Sequence, residues 1–223
     1  MPAASIRARV RAEMTAEIKS VARRHLQTDG ANLSLRAVAR DMGMVSSAVY
    51  RYFASRDELL TALILDGYNS LADAVAAADA SVTNRARLRD RWLAAAHAVR
   101  SWAMTTPAEY ALLYGSPVPG YAAPQETAAA ATRIALVLVS ILADGHASGV
   151  LAADQLASGQ LDEAVRANLA RVRDDIAPGL PEGLLFRGMT SWTHLFGTVS
   201  FELFGQYNNV IEAREEFFTS RCG

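Results

Sequence analysis

The chain has 223 residues, enough for one large domain or two small ones and for a sizeable buried core. Hydrophobic residues make up 51% and charged residues 20%, the balance of a soluble globular protein, and glycine and proline, at 14 and 7, are sparse enough to favour helix over sheet. A net charge of −1 argues against a chain basic throughout, but residues 1–60 hold ten Arg and Lys against six Asp and Glu, and residues 61–223 hold twelve against seventeen, so a basic part suited to a polyanion precedes an acidic remainder.

The N-terminal stretch MPAASIRARVRAEM is basic but has no apolar core segment, so it does not read as a secretory signal. Residues 6–27 read as a first helix, with Ile6, Val10, Met14, Ile18, Val21 and Leu26 close to one stripe, and Gly30 suits a left-handed cap. Ser34 can cap a second helix whose apolar face is Leu35, Val38, Ala39 and Met42, and Gly43 ends it after about two turns. A third short helix follows with Val49 and Phe53 inward. The run Ser55-Arg56-Asp57-Glu58 reads as a capping box opening a fourth, long helix that continues to about Ala80.

Beyond it the helical period persists, over roughly 84–104, 107–115, 124–147, 160–176, 183–206 and 211–220, with loops at 114–125 and 177–183 set by their prolines and glycines. The longest apolar run, 134–143, is about half of the ~20 residues that span a bilayer. Cys222 is the one cysteine, so no disulfide forms within the chain, which fits a reducing compartment. The reading is a cytoplasmic protein with no membrane partner.

Two short helices across a glycine turn make a helix-turn-helix. Gly43 accepts positive φ, Ala39 allows close helix contact, and the second helix is left to enter a major groove by its N-terminal end. That end carries Val45, Ser46, Ser47, Ala48, Tyr50 and Arg51. Short side chains let the backbone near the bases, hydroxyls meet phosphate or base edges, and Tyr50 and Arg51 reach the backbone on either side. Arg56, at the start of the fourth helix, suits a phosphate clamp.

LRAVARDMGM, VYRYF and ASRDELL, in register behind an amphipathic first helix, resemble the DNA-binding domain of the TetR family of bacterial regulators over about residues 12–66. The resemblance implies an all-α subunit: a three-helix head at residues 1–54, then a helical ligand-binding and dimerisation body at 55–223, whose first helix, 55–80, connects the two. It implies that Leu35 and Arg36 start the second helix near phosphate and that Val45, Ser46, Ser47 and Ala48 read the groove. Tyr50 would bind backbone phosphate, Arg51 and Tyr52 fill positions often held by histidine or an aromatic, and Arg56 replaces the usual lysine. Val45 departs from the family's serine cap. Either Ser46 takes over the cap and moves the helix start, or valine meets a thymine methyl.

SWTHLFGTVSFELFGQY, 191–207, is apolar nearly all round and resembles the penultimate helix of a TetR subgroup, through Trp192, Gly197 and Glu202 to Gly205, with Phe196 in place of a histidine. That likeness implies a dimer interface of 160–176 with 184–206, with intrachain core as the competing role. Buried Glu202 needs a partner, an arginine or a helix end. Trp92, Trp102, Tyr110, Tyr114, Trp192 and Phe196 are candidates to line a ligand pocket, plain core packing being the alternative for each. Gly188, Gly197 and Gly205 would let helices approach closely.

The expected function is a ligand-responsive, sequence-specific DNA-binding regulator. It would be a homodimeric repressor released from a palindromic operator by a small lipophilic molecule, and it would need no cofactor. An architectural, ligand-blind DNA binder is the alternative. Catalysis has little support. The four histidines show no metal spacing with one another or with Cys222, and no phosphate loop or nucleophile motif is present.

Overall fold

The computed structural model describes residues 3–30, 32–152 and 161–222. Among these the chain forms α1 (Ala3–Asp29), α2 (Leu35–Asp41), α3 (Ser46–Val49), α4 (Arg56–Ser81), α5 (Leu88–Thr105), α6 (Pro107–Tyr114), α7 (Gln125–Ala147), α8 (Glu163–Ile176), α9 (Glu182–Leu203) and α10 (Arg214–Cys222), with no strand. They fall into two units, 1–69 with 106–128 and 70–105 with 129–223; α4 contributes its first half to one and its second half to the other. The first unit thus reaches past residue 54 and takes in α6.

In the first unit α1 is anchored by Ile18, Val21, Ala22 and Leu26, all buried. Ile6 and Val10 continue the same stripe but stand half exposed, so only the C-terminal part of the expected face is core. Gly30 takes φ +57 and donates its N–H to the Leu26 carbonyl at 3.1 Å, closing the helix. Leu35, Val38 and Ala39 of α2 meet Val49, Phe53, Leu59 and Leu60 in one core; each large side chain so buried is worth about 1.5–3 kcal/mol. Ion pairs fix α1 to its neighbours: Arg23 reaches Asp66 of α4 and Glu109 of α6, each at 2.6 Å, and Lys19 reaches Asp66 at 2.7 Å. Tyr121 is within 2.8 Å of the Thr61 hydroxyl, which ties the loop after α6 to α4.

The second unit packs α5, α7, α8, α9 and α10. Small residues of α5, Ala95, Ala96, Val99 and Ala103, are buried, as are Leu195 and Val199 of α9 and Phe218 of α10. Two charge clusters are buried with them. Glu202 accepts from Arg100 in a two-pronged contact, Nε to Oε2 at 2.7 Å and Nη2 to Oε1 at 2.6 Å, so its expected partner is an arginine. Arg91, 0% exposed, donates to Asp79 of α4 at 2.8 Å and to Asp144 of α7 at 2.6 Å. Burial pushes the Asp79 carboxyl up, but hydrogen bonds from Arg91 and Arg85 outweigh it and hold it below the ordinary carboxylate range.

α7 has 23 residues and is apolar enough, by composition alone, to cross a membrane. Two of its charged side chains pair within the second unit, Arg133 with Asp73 at 2.6 Å and Asp144 with Arg91 at 2.6 Å. α9 ends three residues earlier than its apolar run suggests. Gly205 adopts φ +78, Gln206 N–H bonds the Phe201 carbonyl at 2.8 Å, and Gly205 N–H bonds the Glu202 carbonyl at 3.3 Å, a Schellman closure. Of the three glycines expected at close helix approaches, Gly188 sits at one within the chain, where a Cβ would lie 2.5 Å from Leu142 Cδ1. Gly197 faces open space and Gly205 ends the helix. The expected start of α8 at residue 160 lies outside the described residues, and Asp162 caps α8 by accepting from Ala164 N–H at 2.8 Å.

Candidate nucleic-acid interface

Ser34 caps α2 by accepting from Ala37 N–H at 3.4 Å, and Gly43 takes φ +66 to turn the chain into α3. Val45 itself occupies the N-cap of α3 in extended conformation, with no side-chain cap bond, so Ser46 is the first helical residue and the start is not displaced. Val45 is 71% exposed, an apolar tip held out to solvent. Ser47 is exposed beside it, Ser46 and Ala48 are half-buried, and Val49 plugs the core. α3 therefore turns Val49 inward and leaves Val45 and Ser47, of the residues expected to read bases, outward.

A surface cleft of about 490 Å³ brings together the ends of three elements. It is lined by Ser34 and Arg36 at the start of α2, by Tyr50 after α3, and by Ser55 and Arg56 at the start of α4. Tyr50 is 44% exposed. The α4 end is well built: Ser55 Oγ accepts from Glu58 N–H at 3.1 Å, and the Glu58 carboxylate accepts from Ala54 N–H at 2.5 Å. Arg56 is half-buried and lies 3.5 Å from the more exposed Asp57.

Two candidates stand differently from the rest. Leu35 is 4% exposed and belongs to the core, so a contact there falls to the backbone rather than the side chain. Tyr52 turns towards α1, where the Arg11 guanidinium lies 5.2 Å over its ring and Nη1 of Arg11 donates to the Arg51 carbonyl at 3.2 Å. The sequence does not single out Arg11; the basic pattern around it is visible there, but its reach to residue 51 is tertiary.

The second unit contains a cavity of about 460 Å³. Its walls are Leu138, Ile141 and Leu142 of α7 and Leu184 of α9, with Val150 and Leu151 across one side. Trp92, Arg89, Arg187, Ser191 and Cys222 also border it. Trp92 Nε1–H donates to the Cys222 carbonyl at 2.6 Å, which ties α5 to the end of α10. Of the six aromatic pocket candidates, Trp92 alone lines this cavity. Trp102 is buried and donates to Ser70 Oγ at 3.0 Å, while Trp192 and Phe196 stack on each other, centroids 4.5 Å apart. Tyr110 and Tyr114 lie in the first unit, rings 5.1 Å apart, with Tyr68 against Tyr114. Burial, with Tyr68 and Tyr110 beside it, pushes the Tyr114 hydroxyl up.

Residues 18–63 match the family described as "Bacterial regulatory proteins, tetR family", and residues 92–221 match "Tetracyclin repressor-like, C-terminal domain". The chain is 42% identical over 206 residues to the HTH-type transcriptional regulators Rv1816 of Mycobacterium tuberculosis and Mb1846 of Mycobacterium bovis, covering 88% of this chain and 83% of each relative. Among solved structures, the regulatory protein SCO4313 aligns at TM-score 0.78 and 36% identity over 96% of both chains. The TetR family regulator PfmR of Thermus thermophilus shares the fold, at TM-score 0.60 and 16% identity over 92% of this chain and 94% of its own.

Proposed function

The chain belongs to the TetR family of bacterial helix-turn-helix transcriptional regulators, which are not enzymes, and on that premise we propose that it is a homodimeric repressor, acting in the cytoplasm, that leaves a palindromic operator when a small lipophilic molecule enters its second unit. The observation that carries the DNA-binding part is the cleft joining Arg36, Tyr50 and Arg56 beside the outward face of α3. Guanidinium and phenol groups there suit phosphate oxygens, while Val45, Ser46, Ser47 and Ala48 suit base edges.

Dimerisation is supported by α9. Met189, Thr193, Gly197 and Phe201 recur every fourth residue on one exposed face, with Gly197 open for close approach. Val165 of α8 is also exposed, beside a surface groove that includes Met189 and Thr193. A two-fold pair of heads reads a palindrome.

The cavity supports ligand response over a ligand-blind architectural role. Leu88 and Trp92, on α5, border it, and Arg91 between them holds Asp79 near the end of α4 and Asp144 of α7. A molecule that parts α5 from α7 pulls on α4, whose other end carries Arg56; the ligand's differential affinity for the two arrangements is the coupling energy. Selection of bound fragments from random DNA by the purified protein tests the operator, and a palindrome is expected. Ligand-saturated protein that holds this site as tightly as apo protein defeats the release mechanism.

A further inference from the structure

We propose that the cavity between α5, α7 and α9 takes an amphiphile with a carboxylate head, and that Arg187 is the residue that selects the charge. This rests on the reading of the second unit as the effector-binding part. Four aliphatic side chains of α7 and α9 form the walls, which suits an unbranched hydrocarbon tail. At about 460 Å³ the space lies towards the lower end of ligand sites, roughly 300–1,000 Å³, so the tail is of medium length.

The charge argument comes from what borders the cavity. Arg187 is half-buried there and has no hydrogen bond or ion pair among the described residues. Among the described residues no Asp or Glu lines the cavity. Burial pushes the Cys222 thiol up to about 11, against the weaker pull of Arg221, so at neutral pH it supplies no thiolate. Arg89 adds a second positive charge at the border while keeping a partner of its own. A partly desolvated guanidinium beside apolar walls is an uncompensated cost that an incoming anion removes, and a carboxylate matches its planar fork. Ser191, at the same border, can donate a further hydrogen bond.

The test uses the full-length protein without DNA, titrated with decanoate, methyl decanoate and decyltrimethylammonium below their aggregation limits. Binding is read by calorimetry and by the fluorescence of Trp92, with Trp92→Phe identifying the responding tryptophan. Decanoate is expected to saturate one site per subunit and to bind about tenfold or more tighter than its ester, the cation not at all. Arg187→Gln should bring the acid down to the level of the ester and leave the ester unchanged; Arg187→Lys should restore most of the preference. Equal binding of acid and ester, an unchanged preference in Arg187→Gln, or no binding by either compound overturns the assignment. DNA release is read separately: decanoate that binds as stated yet leaves the operator complex intact supports the site and defeats the release mechanism instead.

Discussion

Arg56 sits 3.5 Å from Asp57, and a part-exposed surface pair of that kind is worth about 0–1 kcal/mol, less than a charge-assisted bond to phosphate. On the proposed reading a DNA phosphate competes with Asp57 for this guanidinium. Tyr50→Phe with Arg56→Ala should weaken binding to specific and random duplex alike. Loss of Arg56 from both half-sites should lower the slope of log affinity against log salt by about 2, measured by fluorescence anisotropy over a salt series. Val45→Ser acts otherwise. A serine there supplies the cap α3 lacks, worth about 0.5–2 kcal/mol, so thermal stability should rise while the preferred bases change in a selection from random DNA. At Asp79 the sign is set by its depressed pKa: the stabilisation is present above the ordinary value of 3.8 and is lost as pH falls through the lower folded value. Asp79→Ala strands the fully buried Arg91 with Asp144 as its one acidic partner among the described residues. It should cost about 3–5 kcal/mol in chemical denaturation at pH 7, with a smaller further loss in acid than wild type shows.

Single elements carry the oligomeric question. Met189 and Phe201 are 46% and 53% exposed on the same face of α9, so Phe201→Asp with Met189→Asp places carboxylates where two copies would meet. The protein should run as a monomer in sedimentation velocity and keep its helical circular dichroism. How much of the molecule is legible in its sequence depends on the range of the interactions involved. The head is readable because its signals are local: Ser34, Gly43 and the Ser55–Glu58 box each act within four residues, and the structure has all three. The end of α9 is misread because Phe204 and Gln206 prolong the expected helix across Gly205, whose positive φ stops it. Glu202 can be assigned a partner type, but not Arg100, 102 positions away. The cavity is the least legible part. Leu142, Leu151 and Arg187 come together through tertiary packing, and a list of aromatics finds only Trp92.

Across the whole molecule the reading requires two heads acting on one site, and that has a quantitative signature. The slope of log affinity against log salt is about −0.9 times the number of phosphates neutralised, summed over every head that touches DNA. Each head offers the same cationic set around its cleft, Arg36 and Arg56, with Arg51 exposed beside it. A dimer therefore releases twice the counterions of a monomer. The Met189→Asp, Phe201→Asp protein leaves both clefts chemically untouched, since neither residue belongs to the first unit. It should bind a single half-site with about half the salt slope of wild type on the full palindrome, and lengthening the duplex to the full palindrome should not raise that slope. A monomeric variant that kept the full slope would mean that one head neutralises all the phosphates, and the two-fold reading of the operator would fall.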